Sequence, residues 1–274
     1  MPATDHFISL NRLRLHYLDW GNPGAAPLLL LHGGSAHAHW WDWFAPSAVD
    51  RFHVIALDLR GHGDSEWAQP AAYEVDDYAA DVVAFIAALE LRRVRLIGHS
   101  LGGTVAAIAA AAGDPAALVL VDSRLKSGDS GLRFMQRLAQ MQHPRYRTRE
   151  QGIAQYRLLP GDCSAPPAIL QHLAAHALCR SADGEHWTYK FDRAALAAIR
   201  PHDIAAALPQ LRCPILAIRG AASPLMPPAG IAALRAAAPR LEDCEIAGAH
   251  HHVMLDRPAE FARAVNDFLA KVPR

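Results

Sequence analysis

The chain has 274 residues, enough for one large domain with a substantial core and room for an inserted subdomain. Its 27 basic side chains balance 27 acidic ones, which argues against a nucleic-acid partner or an anionic membrane surface. No basic stretch leads into an apolar run at the N-terminus and no apolar run is long enough to span a bilayer. The four cysteines (Cys163, Cys179, Cys213, Cys244) form no C-x-x-C pair, so a cytoplasmic protein with free thiols is expected.

Residues 7–10 and 13–20 read as two strands. Arg12, Arg14 and His16 alternate with Leu13, Leu15 and Tyr17, the pattern of a pair with one solvated face. Residues 21–24 form a turn. Residues 27–31 are continuously apolar, as in a strand covered on both faces, and end in His32-Gly33-Gly34-Ser35, where glycines let backbone amides face a ligand. The aromatic run at 39–44 predicts the start of a helix that lines a pocket or packs on the sheet. Residues 52–57 are another buried strand, leading into Asp58-Leu59-Arg60-Gly61-His62-Gly63-Asp64-Ser65. An amphipathic helix follows over 75–91, from the spacing of Tyr78, Val82, Phe85, Ile86 and Leu89.

Residues 94–97 then suit a buried strand, and 104–112 are small, apolar and helix-favouring. Between them stands Gly98-His99-Ser100-Leu101-Gly102-Gly103. A strand turning this sharply into a helix needs glycine on both sides of the serine, because a Cβ at 98 or 102 would meet neighbouring backbone. The turn brings the serine Oγ out at a helix N-terminus, where developing negative charge is favoured. This G-x-S-x-G stretch resembles the nucleophile elbow of the α/β-hydrolase family. The D-x-R-G-x-G-x-S run at 58–65 is similar to a loop of the same family and reads as structural, with paired charges close to the site.

Residues 117–121 are a further strand, ending in Asp122-Ser123-Arg124. The strand–helix alternation to this point implies parallel strands with right-handed crossovers, and hence an α/β fold: a mostly parallel sheet of about eight strands flanked by helices. The alternation breaks from 125 to 208. That stretch is polar, has no convincing buried strand, and offers short helices at 132–141, 151–158, 168–179 and 194–199, with a loop at 161–167. The resemblance implies a helical cap inserted after the sixth strand, dividing the chain into core (1–124), cap (125–208) and core (209–274). A buried strand returns at 214–219, followed by a helix at 229–238, a strand at 241–246, and a last helix at 258–269 opened by Pro258.

A serine hydroxyl needs a base within hydrogen-bond reach, and the base needs an orienting carboxylate. The resemblance puts the base in the loop after the last strand, where His250, His251 and His252 compete. Aligned on Pro258, the catalytic place falls on His251, with His250 the alternative. The family's common acid position, just after the strand at 214–219, reads Gly220-Ala221-Ala222-Ser223-Pro224-Leu225 and holds no carboxylate. The other known placement is the tip of the preceding strand, where Asp122 stands; its bland reading is a capping aspartate. The resemblance also implies oxyanion amides at Gly34 and Leu101, and a pocket drawn from Gly33, Ser35, His99, Trp41, Arg124 and Trp187. Arg124, Arg157 and Arg180 either clamp a substrate carboxylate or stay solvated.

The expected activity is that of a serine hydrolase cleaving an ester or related acyl bond of a small molecule. Its alternatives are a carbon–carbon bond hydrolase with the same triad and a slow, ligand-binding member of the fold. No cofactor and no metal are expected, since His37-x-His39 and the 250–252 run lack a ligand set at usable spacing.

Overall fold

The computed structural model describes residues 2–126, 129–198, 200 and 202–273. Eight strands form one sheet in the order β1-β2-β4-β3-β5-β6-β9-β10. They are β1 (Thr4–Leu10), β2 (Leu13–Asp19), β3 (Ala26–Leu31), β4 (Phe52–Leu57), β5 (Arg95–His99), β6 (Ala117–Val121), β9 (Ile215–Gly220) and β10 (Glu242–Ile246). β2 runs antiparallel to β1 and β4, and every pairing from β4 to β10 is parallel. The β1–β2 hairpin turns on Asn11 and Arg12, both at positive φ (50° and 66°), as a two-residue turn matched to strand twist requires.

Alternate side chains of the central strands go to opposite faces, and each face is covered. Leu28, Leu30, Ile97 and Val119 join Trp41, Phe44, Phe261 and Val265 on one side. Leu29, Leu31, Leu96 and Leu118 join Tyr78, Phe85, Val105 and Leu234 on the other. Double coverage is why these strands read as unbroken apolar runs. The helices that cover them are α1 (Val75–Ala88), α2 (Leu101–Ala111), α7 (Pro228–Ala237) and α9 (Pro258–Ala270). A capping box between Glu74 and Asp77 starts α1. A short α8 (Val253–Asp256) precedes α9. No described helix is long and apolar enough to cross a membrane.

Between β6 and β9 the chain leaves the sheet. It forms α3 (Asp129–Ala139), α4 (Arg149–Gln155), α5 (Pro167–His176), an antiparallel pair β7 (Leu178–Arg180) and β8 (Trp187–Tyr189), and α6 (Ala194–Ala197). The hairpin is a departure from the helical expectation: three-residue strands are too short to show a period of two. The expected helix at 194–199 ends earlier, and Ile199 lies outside the described residues. The aromatic run gives not an α-helix but two 3₁₀ turns, Ala38–Trp41 and Ala45–Ser47. His16, on the face of β2 expected to be solvated, is buried, because it pairs with Asp58.

Candidate active site

Ser100 sits between β5 and α2 with φ 51° and ψ −117°, outside the regions an L residue ordinarily occupies. Such a conformation costs about 1–3 kcal/mol and persists only where its surroundings over-determine it. They do so here by backbone contact. A Cβ on Gly98 would come within 2.2 Å of the Gly102 carbonyl oxygen, and one on Gly102 within 2.4 Å of the Leu31 and His32 carbonyl oxygens. The elbow is therefore pressed against the end of β3 and cannot relax. Ser100 N–H donates to the Val121 carbonyl at 2.9 Å, tying the elbow to the tip of β6.

The tip of β3 is held by its own histidine. Leu59 N–H donates to His32 Nε2 at 3.0 Å, so the ring proton is on Nδ1 and goes to the Gly33 carbonyl at 2.7 Å. Burial keeps His32 below its ordinary value, consistent with that neutral tautomer. Gly33 lies against the elbow: a Cβ there would come within 2.7 Å of His99 Nδ1 and 3.3 Å of Ser100 Cβ. The loop can thus bring the Gly34 backbone beside Leu101, whose amide belongs to the first turn of α2 and has no intrahelical acceptor.

At the tip of β6, Asp122 is turned inward at φ 47°. Its Oδ1 is 2.8 Å from His251 Nδ1 and accepts the Ser223 hydroxyl at 2.6 Å; its Oδ2 accepts Gly220 N–H at 3.0 Å. The loop that lacks a carboxylate thus supplies two donors to the one on the neighbouring strand. Burial pushes the Asp122 carboxyl up to about 7, against the bonds from Ser223 and Gly220 and the nearby Arg219, which pull it down. Burial, with His252 and Arg124 nearby, holds the His251 imidazole well below its ordinary value, so it is neutral at pH 7.

A second carboxylate sorts the three histidines. Buried Asp256 in α8 accepts His250 N–H at 2.7 Å and Ser164 N–H at 2.6 Å. His99 Nε2–H donates to the His251 carbonyl at 3.0 Å. His252 Nε2–H donates to the Pro160 carbonyl at 3.0 Å, joining the inserted segment to the core. With the backbone held on both sides, His251 turns toward Asp122.

Ser100, His251 and Asp122 line one cavity together with Gly33, Gly34, His99, Leu101 and Arg124. Ser35, Trp41 and Trp187 are not brought to it. Trp41 is fully buried against Phe44 and Phe261; its neighbour Trp40 faces the cavity and stacks on His99. Trp187 lies in β8 under the Arg180 guanidinium, and exposed Arg157 donates to backbone carbonyls of its own turn. The far wall comes from the inserted segment, including Met135, Leu159, Phe191 and Leu196. Ser223 and Asp256 were not singled out from the sequence. A polar residue at the vacant acid position was the only signal for Ser223; Asp256, inside an apolar helix, offered none.

Among the described residues three groups of side chains are close enough to hold a metal ion. In His99, His251 and His252 each ring already serves the contacts above. In His16, Asp58 and Asp64 both nitrogens of His16 face aspartate. The third, His39, His172 and His176, lies away from the cavity.

A family model described as the alpha/beta hydrolase fold matches residues 26–258. The chain is 42% identical over 117 residues to an N-formylmaleamate deformylase from Pseudomonas putida, a match covering 42% of this chain and 43% of that protein. It is 27% identical over 273 residues to a 3-hydroxybutyrate-oligomer hydrolase from Cupriavidus necator, covering 93% and 92%. The chain spans about two fifths of the length of the first curated relatives it matches. A crystal structure of E-2-(acetamidomethylene)succinate hydrolase superposes with a TM-score of 0.86 at 24% identity, covering 98% of this chain and 99% of that one, a likeness of fold.

Proposed function

The chain belongs to the alpha/beta hydrolase fold family, and from that premise we propose that it is a serine hydrolase cleaving an acyl bond of a small, carboxylate-bearing molecule. The observation that carries this reading is the His251–Asp122 pair, 2.8 Å apart and buried, opening on the same cavity as a serine held at a strained elbow.

Ser100 Oγ attacks the substrate carbonyl. With Nδ1 on Asp122, the Nε2 of His251 takes the hydroxyl proton and returns it to the leaving group. A tetrahedral oxyanion forms between the Gly34 and Leu101 amides, each worth roughly 3 kcal/mol in the transition state. Water, deprotonated by His251, then releases the acyl group and regenerates Ser100. Asp122 keeps the imidazole in the productive tautomer and balances imidazolium as it forms. Residues 125–208 act as a cap that supplies the apolar wall, and four free thiols fit a reducing, cytoplasmic setting.

The substrate class rests on Arg124. It lines the cavity at the tip of β6 and has no ion-pair partner among the described residues. The names of the relatives above, a maleamate, a succinate and a 3-hydroxybutyrate oligomer, are all carboxylates, which supports a carboxylate on that guanidinium.

The test is labelling and turnover. A fluorophosphonate probe is expected to modify Ser100 in the native chain and nothing in Ser100→Ala. Half-esters and N-acyl compounds with a free carboxylate are expected to be hydrolysed, with product masses identifying the bond broken (ester, amide or carbon–carbon). Arg124→Gln should raise KM about 10- to 100-fold for those compounds, the equivalent of one charged hydrogen bond, and leave neutral esters nearly unchanged. Absence of both labelling and turnover would sink the reading.

A further inference from the structure

His37-x-His39 lacks a ligand set in the sequence, and the fold provides one from elsewhere. We propose that His39, His172 and His176, with the Asp42 carboxylate, form a binding site for a divalent transition-metal ion of the zinc class. The site is separate from the Ser100 cavity and joins the inserted segment to the sheet.

The two elements meet at right places for it. His39 lies in the 3₁₀ turn Ala38–Trp41, just after β3, and Asp42 caps that turn. His172 and His176 lie on α5, four residues apart and therefore on one face of the helix. His172 Nε2 and His39 Nδ1 converge on the same Asp42 oxygen, at 2.6 Å and 3.0 Å. The His39 and His176 rings stack with centroids 3.5 Å apart, and the His172 and His176 centroids are 4.6 Å apart. One ring nitrogen from each histidine lies within 4.8 Å of the others. A tetrahedral ion with Zn–N bonds of about 2.0–2.1 Å holds its ligand nitrogens about 3.4 Å apart, so small side-chain rotations bring these rings to it.

The donor chemistry is specific. Three neutral imidazoles and one carboxylate suit Zn²⁺, Co²⁺, Ni²⁺ or Cu²⁺, whereas Ca²⁺ and Mg²⁺ require mostly oxygen. All three histidines are half-buried, which leaves an entry path. The other two groups differ in what an ion would have to displace: the pair that orients His251, or the doubly paired His16. Around His39 the displaced contacts run to Asp42, which becomes a ligand itself.

The full chain, treated with EDTA and moved to metal-free buffer, is titrated with zinc chloride by calorimetry and with cobalt(II) by visible absorption. The expected result is one ion per chain, with cobalt bands of a four- or five-coordinate nitrogen–oxygen site and no binding of Mg²⁺. Zinc at a hundredfold excess over its dissociation constant should raise Tm by roughly 5 °C. The double variant His172→Ala, His176→Ala should lose the binding isotherm while its circular dichroism is unchanged; His251→Ala should keep it. Should the double variant unfold, His176→Gln alone is expected to weaken zinc on the order of tenfold or more, since losing a ligand costs at least as much as losing a group that orients one. No binding by the native chain, binding indifferent to the α5 substitutions, or binding lost in His251→Ala would each overturn the assignment.

Discussion

Two buried aspartates stand at the C-terminal ends of strands in the same sheet, Asp58 after β4 and Asp122 after β6. Each holds a buried histidine through Nδ1, His16 at 2.7 Å and His251 at 2.8 Å. The bond is the same, but its surroundings favour the charged forms in one pair and disfavour them in the other. Burial alone would raise Asp58, but the hydrogen bond and charge of His16 outweigh it and hold the carboxyl well below the usual range. His16 is raised despite burial, because Asp58, Asp5 and Asp64 all face it. That pair is a structural ion pair, reinforced by Ala38 N–H and Asp64 N–H on the carboxylate. His251 instead has Arg124 and His252 beside it, and stays neutral. What surrounds the pair, rather than the pair itself, separates a strut from the general base we propose.

The largest break in this symmetry is expected from Asp122→Asn. An amide cannot hold the His251 tautomer or balance imidazolium, so turnover of a carboxylate-bearing acyl substrate should fall by about four orders of magnitude. Because the carboxyl is raised in the folded state, ionising it opposes folding at neutral pH. Calorimetry should find Tm at pH 8 unchanged or higher.

Asp58→Asn should do the reverse. It strands a buried, protonated His16 and places an amide N–H₂ against backbone donors, costing about 3–5 kcal/mol in urea unfolding. The kcat of the molecules that remain folded should stay near the native value. A large kcat loss without loss of stability would mean that the Asp58 loop takes part in chemistry.

The smallest effects are in pH dependence, and their signs differ. The depressed Asp58 contributes stability above the unfolded carboxyl value of about 4 and loses it below. The raised Asp122 binds a proton in the folded state between about 4 and its own value of about 7, so its contribution falls as pH rises through that window. A stopped assay should find kcat/KM dropping about tenfold per unit below about pH 7, where the Asp122–His251 pair takes up a proton. A flat profile from pH 5 to 8 would contradict the assignment of that pair.

Much of this was legible in the chain. The elbow at Ser100 and the doubly covered strands are local patterns: glycine where a Cβ would collide, and apolar runs where both faces are sealed. Asp122 was reachable because strand tips in a parallel sheet are neighbours and the usual acid position was vacant. Three pocket positions were not: Ser35, Trp41 and Trp187 lie off the cavity. Which of two adjacent tryptophans faces inward depends on the pitch of a 3₁₀ turn, and Trp187 depends on a hairpin too short to leave a period.

By itself the sequence determined the order of the central strands, the position of the serine and the family to which the chain belongs, because those follow from residue types a few positions apart. Only the folded chain decided that His251 rather than His250 meets Asp122, that Ser223 replaces a missing carboxylate's neighbourhood with a donor, and that His172 and His176 reach His39. The reason is physical: charge state and ligand geometry are set within a few ångströms, by side chains that the sequence keeps as many as 137 positions apart.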